Sequence, residues 1–557
     1  MTTQKFKVAL NNSKFPFLYR NASRGVLQPG LDPVSRLPGN FPGTYDSSDY
    51  NTVQMLYCEN VVPTVDGLAS VSFTETIPAE FSPAFIAGAS GGAFDRYYTL
   101  RVEDETAYVF ALASNTGYVW NPVSGEWVNN FYAFTDVRQL SASLACVAGR
   151  TFLMIENLLY LEFTGSWGSA PLQLPAGYVF TDLVAACGAS NYNVLTTATE
   201  ILWSSLLDPL DFADIDQGAG RSTPIDLKGK IRAVIPISGG FIIYTTKNAV
   251  AALFTNNAAA PFLFKEVLGS AGVVSDQQVT GDANMNYHYT YGQAGIQRVS
   301  MQKAESVLPG CADFLSGTAY DDWNDTTHLV EQQIGSQTNV RLYLALSRYL
   351  CLSYGYDGNS FQYVLIYDLL LERWGKLKLT HVDVCTLPWL DDAGIETDIL
   401  IEDLGLPIEF YPQAIEDLTY VVTDPDNAAA NVNWRDTLGF MQIGGTILKL
   451  NVETAGEDNA AGIGVVVLGH VQVARSKTVT LQDIQLDGMH SGSVYVLTSD
   501  PGHGYNRDDA FAATLQTNRT DYKTYRKRVT AENFDVAVKG SFMLTNAVIE
   551  TTVHGSR

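Results

Sequence analysis

A few residues have the type and spacing that chemistry requires. Gly88-Ala89-Ser90-Gly91-Gly92 satisfies G-x-S-x-G, which presents a serine nucleophile on a sharp strand-to-helix turn. That pattern acts only in its structural context, and the following AFDRYYTLRV is aromatic and β-branched, so it reads as a strand. A glycine-rich turn is expected there, and a serine hydrolase is not. The seven histidines (His288, His328, His381, His470, His490, His503, His554) are scattered without H-E-x-x-H or any i,i+4 pair, which leaves zinc without a ligand set. Asp214-x-Asp216 and Asp424-x-Asp426 offer oxygen ligands, but neither continues into a calcium loop. No phosphate loop occurs, and Gly462-Ile463-Gly464 runs straight into VVVL without the third glycine of a dinucleotide site. Glycosidases need two carboxylates about the scissile bond, and among 59 acids such pairs are unavoidable, so their presence decides nothing. The S-x-D-x-G-x-x-W repeat of sialidase-like blades is absent. The six cysteines (Cys58, Cys146, Cys187, Cys311, Cys351, Cys385) are isolated and read as small buried thiols. The expectation is a chain that is not an enzyme, with no catalytic residue, metal or cofactor.

The elements that would position any site are short. Runs of β-branched and aromatic residues recur, each closed by a Gly/Asn/Asp turn, and long amphipathic helical stretches are nearly absent. Six such units begin near Ala107, Thr151, Asn191, Ile231, Tyr287 and Val340, at spacings of 44, 40, 40, 56 and 53 residues. A four-stranded propeller blade takes ~40–50 residues, and radial stacking covers both faces of each sheet. An all-β fold follows: a β-propeller of about six blades over residues 76–385, with two sandwich domains as the competing arrangement. Residues 1–75, rich in Pro, Gly and Asn, read as an extended docking arm. Residues 386–434 read as an acidic insertion or tip, and 435–557 as a β-rich region that completes the propeller or a platform.

Charge is distributed unevenly. The 557 residues carry 35 Lys and Arg against 59 Asp and Glu, a formal net charge of −24. Such a chain does not grip nucleic acid through its phosphates, which needs a cationic surplus, although it can let nucleic acid slide past. Hydrophobic residues at 46% exclude a disordered chain. Between Lys378 and Arg435 there is no Lys or Arg but there are twelve acids: Asp383, Asp391, Asp392, Glu396, Asp398, Glu402, Asp403, Glu409, Glu416, Asp417, Asp424 and Asp426. Basic residues gather instead in the arm (Lys5, Lys7, Lys14, Arg20, Arg24, Arg36) and in Lys523–Arg528, where Lys523, Arg526, Lys527 and Arg528 stand close together. The first residues lack the apolar core and cleavage site of a signal peptide, and the window between Lys247 and Lys265 contains Asn256, Asn257 and Pro261, so no membrane span is expected.

Several phrases resemble those of the tail nozzle proteins of short-tailed bacteriophages. Glu59-Asn60-Val61-Val62-Pro63-Thr64 with Asp66-Gly67 resembles the family's N-terminal "NVVPT…G". Leu202-Trp203-Ser204-Ser205 with Asp208-Pro209-Leu210-Asp211-Phe212 resembles its "W-S-…-D-P-x-x-F". The stretch Phe241–Tyr244 with Lys247-Asn248 and Leu253-Phe254 resembles a blade hairpin of the family, as does Val364–Asp368 with Trp374. The last residues, Gly555-Ser556-Arg557, resemble its terminal "G-x-R".

The resemblance implies a structural virion protein, made in the host cytoplasm and built into the tail. Six copies would form a ring beneath the tail adaptor, near fibres or tailspikes and a needle or plug. That ring would close the DNA exit channel before infection and conduct double-stranded DNA, without specific binding, during ejection. Six copies carry 6 × (−24) = −144 formal charges. A lumen lined by Asp391, Asp392, Glu396, Asp398, Glu402, Asp403, Glu409, Glu416 and Asp417 would repel the duplex, provided those groups lie within a screening length of about 8 Å. The basic residues of the arm and of Lys523–Arg528 would then meet the rest of the tail. The alternative is a receptor-binding or carbohydrate-degrading propeller that holds a sugar against aromatics.

Overall fold

In the computed structural model the described residues are the strands within 2–29, then 54–75, 96–129, 142–307, 340–390, 434–451, 464–471, 479–499 and 510–553, with short gaps inside these ranges. The fold is all-β and contains a propeller. Five four-stranded sheets stand alone, each built from consecutive strands. Blade 1 is Arg96–Arg101, Ala107–Ala113, Thr116–Asn121 and Glu126–Asn129. Blade 2 is Ala142–Val147, Arg150–Ile155, Leu159–Phe163 and Trp167–Ser169. Blade 3 is Leu183–Ala189, Tyr192–Thr197, Ile201–Trp203 and Gly220–Ser222. Blade 4 is Ile231–Ile237, Gly240–Thr245, Ala249–Phe254 and Phe262–Glu266. Blade 5 is Val279–Thr280, His288–Gly292, Gly295–Val299 and Ala304–Ser306.

Two further four-stranded sets stand beside these sheets. Blade 6 (Arg341–Ala345, Tyr349–Tyr354, Phe361–Asp368, Arg373–His381) continues at its outer edge into a larger sheet. Blade 7 joins Asp383–Leu390, Trp434–Met441 and Ile447–Asn451 to the distant strand Ser72–Glu75, whose Phe73 lies opposite Leu450. First strands face one another around the ring: blade 2 meets 3, 3 meets 4, 5 meets 6, 6 meets 7, and 7 returns to blade 1. The spacing leads to an expectation of about six blades; five stand as separate sheets of consecutive strands, and the sixth unit is merged into the larger sheet. Blade 7 escapes a local repeat search because its strands come from three separated stretches.

The sequence of the strands follows from this stacking. Blades 3 to 6 are covered on both faces, so their middle strands are apolar at successive positions rather than alternating. In Phe241-Ile242-Ile243-Tyr244, Phe241 and Ile243 pack with Tyr192, Val194 and Trp203 of blade 3, whereas Ile242 and Tyr244 pack with Val279 and Val299 of blade 5. Similar cores join blade 2 to 3, 5 to 6 and 6 to 7. At the ring's inner side Gly188 comes so close to blade 2 that a Cβ there would lie 2.0 Å from the Cys146 carbonyl oxygen. Only glycine fits that approach.

A second body is built on two 21-residue strands, Val479–Ser499 and Asn533–Val553, paired antiparallel along their length. Gly492 and Gly540 face each other in that ladder with φ of 151° and 139°. The strand Gly464–Val471 adds to Asn533–Val553 and is itself paired with Gln54–Glu59. Part of the 1–75 segment is therefore integral to the fold: Thr2–Ala9 pairs with residues 546–553, and the hairpin Val61–Pro63/Leu68–Ser70 joins the edge of blade 6 to the long strand at Met543 and Leu544. Among the described residues no helix is long and apolar enough to cross a membrane.

Candidate functional site

One polar feature among the described residues is an open pocket of about 690 Å³ on one face of the ring, over blades 2, 3 and 4. Its floor is a tight turn between the second and third strands of blade 3. Thr197 shapes that turn, its Oγ1 accepting the amides of Thr199 at 3.3 Å and Glu200 at 3.0 Å. The Ile231 amide donates to the Ala198 carbonyl at 2.9 Å, which ties the turn to the start of blade 4. Blade 4 repeats the turn with Thr245, whose Oγ1 accepts the amides of Lys247 and Asn248 at 3.1 and 3.0 Å.

One wall is a hydroxyl–carboxylate–guanidinium chain. Tyr178 Oη donates to Glu200 Oε2 at 2.7 Å, Thr223 donates to Glu200 Oε1 at 3.1 Å, and Arg221 donates to Tyr178 Oη at 3.0 Å while covering its ring at 5.5 Å. The bond to Glu200 raises the Tyr178 phenol above its ordinary pKa, with burial adding to it. Lys230 and Arg232 also line the pocket. Register between the first two strands of blade 4 shifts between Ile231 and Ala233, so Arg232 is the extra residue of a bulge, and such bulges re-aim side chains. Arg232 Nε is buried without a hydrogen-bond partner. Pattern reading missed this site because its residues come from three blades and match no motif.

The residues singled out by sequence fall elsewhere. Asp391, Asp392, Glu396, Asp398, Glu402, Asp403, Glu409, Glu416 and Asp417, with Asp424 and Asp426, lie outside the described residues, as do Ser90 and its flanking glycines. Asp383, the first acid of the run, is buried and bound to Arg341 at 2.5 Å, so it adds no exposed charge. Lys5 and Lys7 stand in register opposite Glu550 and Val548, and Arg20 is in the strand Leu18–Asn21, while Lys14 and Arg24 lie outside the described residues. In the basic cluster, Lys523 Nζ donates to the His490 carbonyl, Arg526 pairs with Asp483 at 2.7 Å, and Lys527 lies 5.4 Å over the Phe511 ring. Arg528 is exposed. Three of the four proposed interface cations already have internal contacts.

Asp214 caps a short turn, accepting the amides of Asp216 and Gln217, and no group of three metal-ligating side chains occurs among the described residues. Cys58, Cys187 and Cys351 are buried free thiols, whereas Cys146 is exposed. Burial pushes the Cys187 and Cys351 thiols well up, which leaves them unreactive. Four of the phrases that resemble the nozzle family form structural elements, and Gly555-Ser556-Arg557 lies outside the described residues. The Tyr367 and Trp374 rings are 4.5 Å apart across a hairpin, and Asp208, after the Trp203 strand, takes a bond from Arg150 of blade 2 at 3.2 Å.

No family model matches the sequence, and a search of curated proteins gives no match. Among solved structures the chain is similar to U3-55K (8% identity, TM-score 0.32, 52% of this chain and 83% of that one). It is also similar to apo AztD from Citrobacter koseri (8%, 0.29, 51% and 72%). YCF48 from Cyanidioschyzon merolae is a third (13%, 0.31, 57% and 91%). None of these likenesses reaches a TM-score of 0.5, so none bears on function.

Proposed function

We propose that this chain is a structural virion protein, the tail nozzle of a short-tailed bacteriophage, six copies of which ring the DNA exit channel and conduct the genome during ejection. The observation that carries this reading is the hairpin Val61–Pro63/Leu68–Ser70. It holds the residues that resemble the family's N-terminal phrase, and it pairs with blade 6 on one side and the long-strand body on the other. The hairpin ties the propeller to the second sheet by backbone pairing, an arrangement that suits a tail component. The net charge of −24 supports the same reading, since a ring of such chains repels a passing duplex rather than holding it.

The test is the assembly state. Mass photometry and negative-stain imaging of the purified chain with its tail neighbours should show a ring of about six copies around a central pore. A compact trimer with lateral tips would support a receptor-binding propeller and sink the nozzle.

A further inference from the structure

We propose that copies of this chain bind one another head to tail, the loop 204–219 of blade 3 on one copy seating against the basic hairpin Thr514–Asn518/Tyr522–Arg526 on the next. The loop links the third and fourth strands of blade 3 and turns apolar side chains outward. Leu207 and Ile215 are each 79% exposed, and Leu206 is 45% exposed. The Leu206 amide donates to the Gln217 carbonyl at 3.2 Å, which holds the two arms of the loop side by side. Ser205 donates its amide to the Asp211 carbonyl at 2.7 Å, and Asp211 Oδ1 accepts the amides of Ala213 and Asp214 at 2.9 and 3.1 Å. Gln173 exchanges backbone bonds with Leu210 and Phe212, both at 2.9 Å. Grouped apolar side chains on a surface mark a docking site, and a braced surface loses little freedom on binding.

Charge selects the occupant. The loop carries Asp208, Asp211, Asp214 and Asp216 and no Lys or Arg, and of these only Asp208 meets a cation, Arg150 at 3.2 Å. Its partner must therefore be cationic as well as apolar. In a chain of net charge −24, residues 510–531 are the exception: Arg519, Lys523, Arg526, Lys527 and Arg528 stand against Asp521 alone. Among the described residues only Arg526 of these five meets a carboxylate, that of Asp483. Thr514–Asn518 is the outermost described strand of its sheet, and Leu515 is 42% exposed on it. A register shift between Leu515 and Thr517 bars regular strand addition at this edge, so the contact runs through side chains. The two patches stand on different flanks of one molecule. The hairpin belongs to the body stitched to the fourth strand of blade 6, three blades beyond blade 3. Complementary patches so placed meet between copies, a heterologous contact that closes into a ring where the rotation allows. The proposal rests on the ring reading for that closure alone.

Sedimentation of the purified full chain over a range of concentrations tests it. The parent should self-associate, and Leu207→Ser with Ile215→Ser, or Arg519→Glu with Arg528→Glu, should each raise the dissociation constant at least about tenfold. Mixed in equal amounts, the two double variants should form a heterodimer that grows no further, because each keeps the face the other lacks. All four positions are exposed, and Asp216→Lys, a reversal on the same loop, repeats the test if a double variant does not fold. A parent that stays monomeric, variants that associate as the parent does, or a mixture that stays monomeric would overturn the proposal. An open chain built on these faces keeps the contact and loses the nozzle. A ring of six indifferent to the substitutions keeps the nozzle and loses the contact.

Discussion

Ser70 Oγ accepts the Phe542 amide at 2.9 Å and donates to the Phe542 carbonyl at 3.3 Å, so one hydroxyl clasps two positions 472 residues apart. Both residues are buried. Ser70→Ala should therefore lower stability by about 1–3 kcal/mol, the cost of leaving buried polar groups unpaired. The measurement is urea unfolding, and an unchanged midpoint would show that the clasp contributes nothing.

Gly188 marks the contact between the first strands of blades 2 and 3. An alanine methyl there meets backbone rather than a movable side chain, so Gly188→Ala should cost about 1–3 kcal/mol or more. Gly168 has nothing within 4 Å of the same added atom, and Gly168→Ala should stay within about 1 kcal/mol of the parent. Thermal melting of the two variants side by side makes the comparison, and equal losses would refute the close approach.

Two buried histidines set an acid limit. His381 contacts Ser353 Oγ at 2.7 Å and the Leu379 carbonyl at 2.8 Å, and burial lowers its pKa to about 4. His490 bonds Tyr525 Oη at 2.6 Å, and burial, with the Lys523 charge adding, lowers it to about 4 as well. Both are neutral in the fold, whereas the unfolded chain takes up their protons below about pH 6.5. Their stabilising contribution is complete above that value and falls away as the pH drops toward about 4. Between about pH 7 and about pH 4.5 the parent should lose more stability than His490→Gln. Parallel unfolding curves across that range would exclude His490 as a contributor.

Asp368 is fully buried, accepting from Arg348 at 3.0 and 2.7 Å and from the amides of Leu370 and Leu371 at 2.9 and 3.1 Å. It builds the hairpin that brings Trp374 under Tyr367. Asp368→Ala strands one cation and two amides, and should cost about 2–4 kcal/mol by calorimetry.

Under the nozzle reading, changing Asp391, Asp392, Glu402 and Asp403 together to Lys should slow DNA ejection several-fold, with the largest effect at low salt. Ejection from variant virions, followed by a DNA-binding dye, gives the rate. Kinetics equal to the parent would remove these acids from the conduction path.

Blades 1 to 6 were legible because each is local: runs such as TFLMI and FIIYTT pair with neighbours a few residues away. Blade 7 and the stitching hairpin were not, since Phe73 finds Leu450 and Val61 finds Lys376 only through the closed ring. The pocket was illegible for a related reason. Tyr178, Glu200, Arg221 and Arg232 are unremarkable one by one, and their meeting depends on a turn and a bulge in different blades. Isolated cysteines read as buried thiols, which fits Cys58, Cys187 and Cys351 but not Cys146.

Closure of the last blade by Ser72–Glu75 also sets a timetable. On the ribosome this strand emerges about 370 residues before its partner Ile447–Asn451, so it must wait unpaired while the other blades form. Ring closure is then a late, long-range event, slow by nature and exposed to capture of the waiting strand by a neighbouring chain.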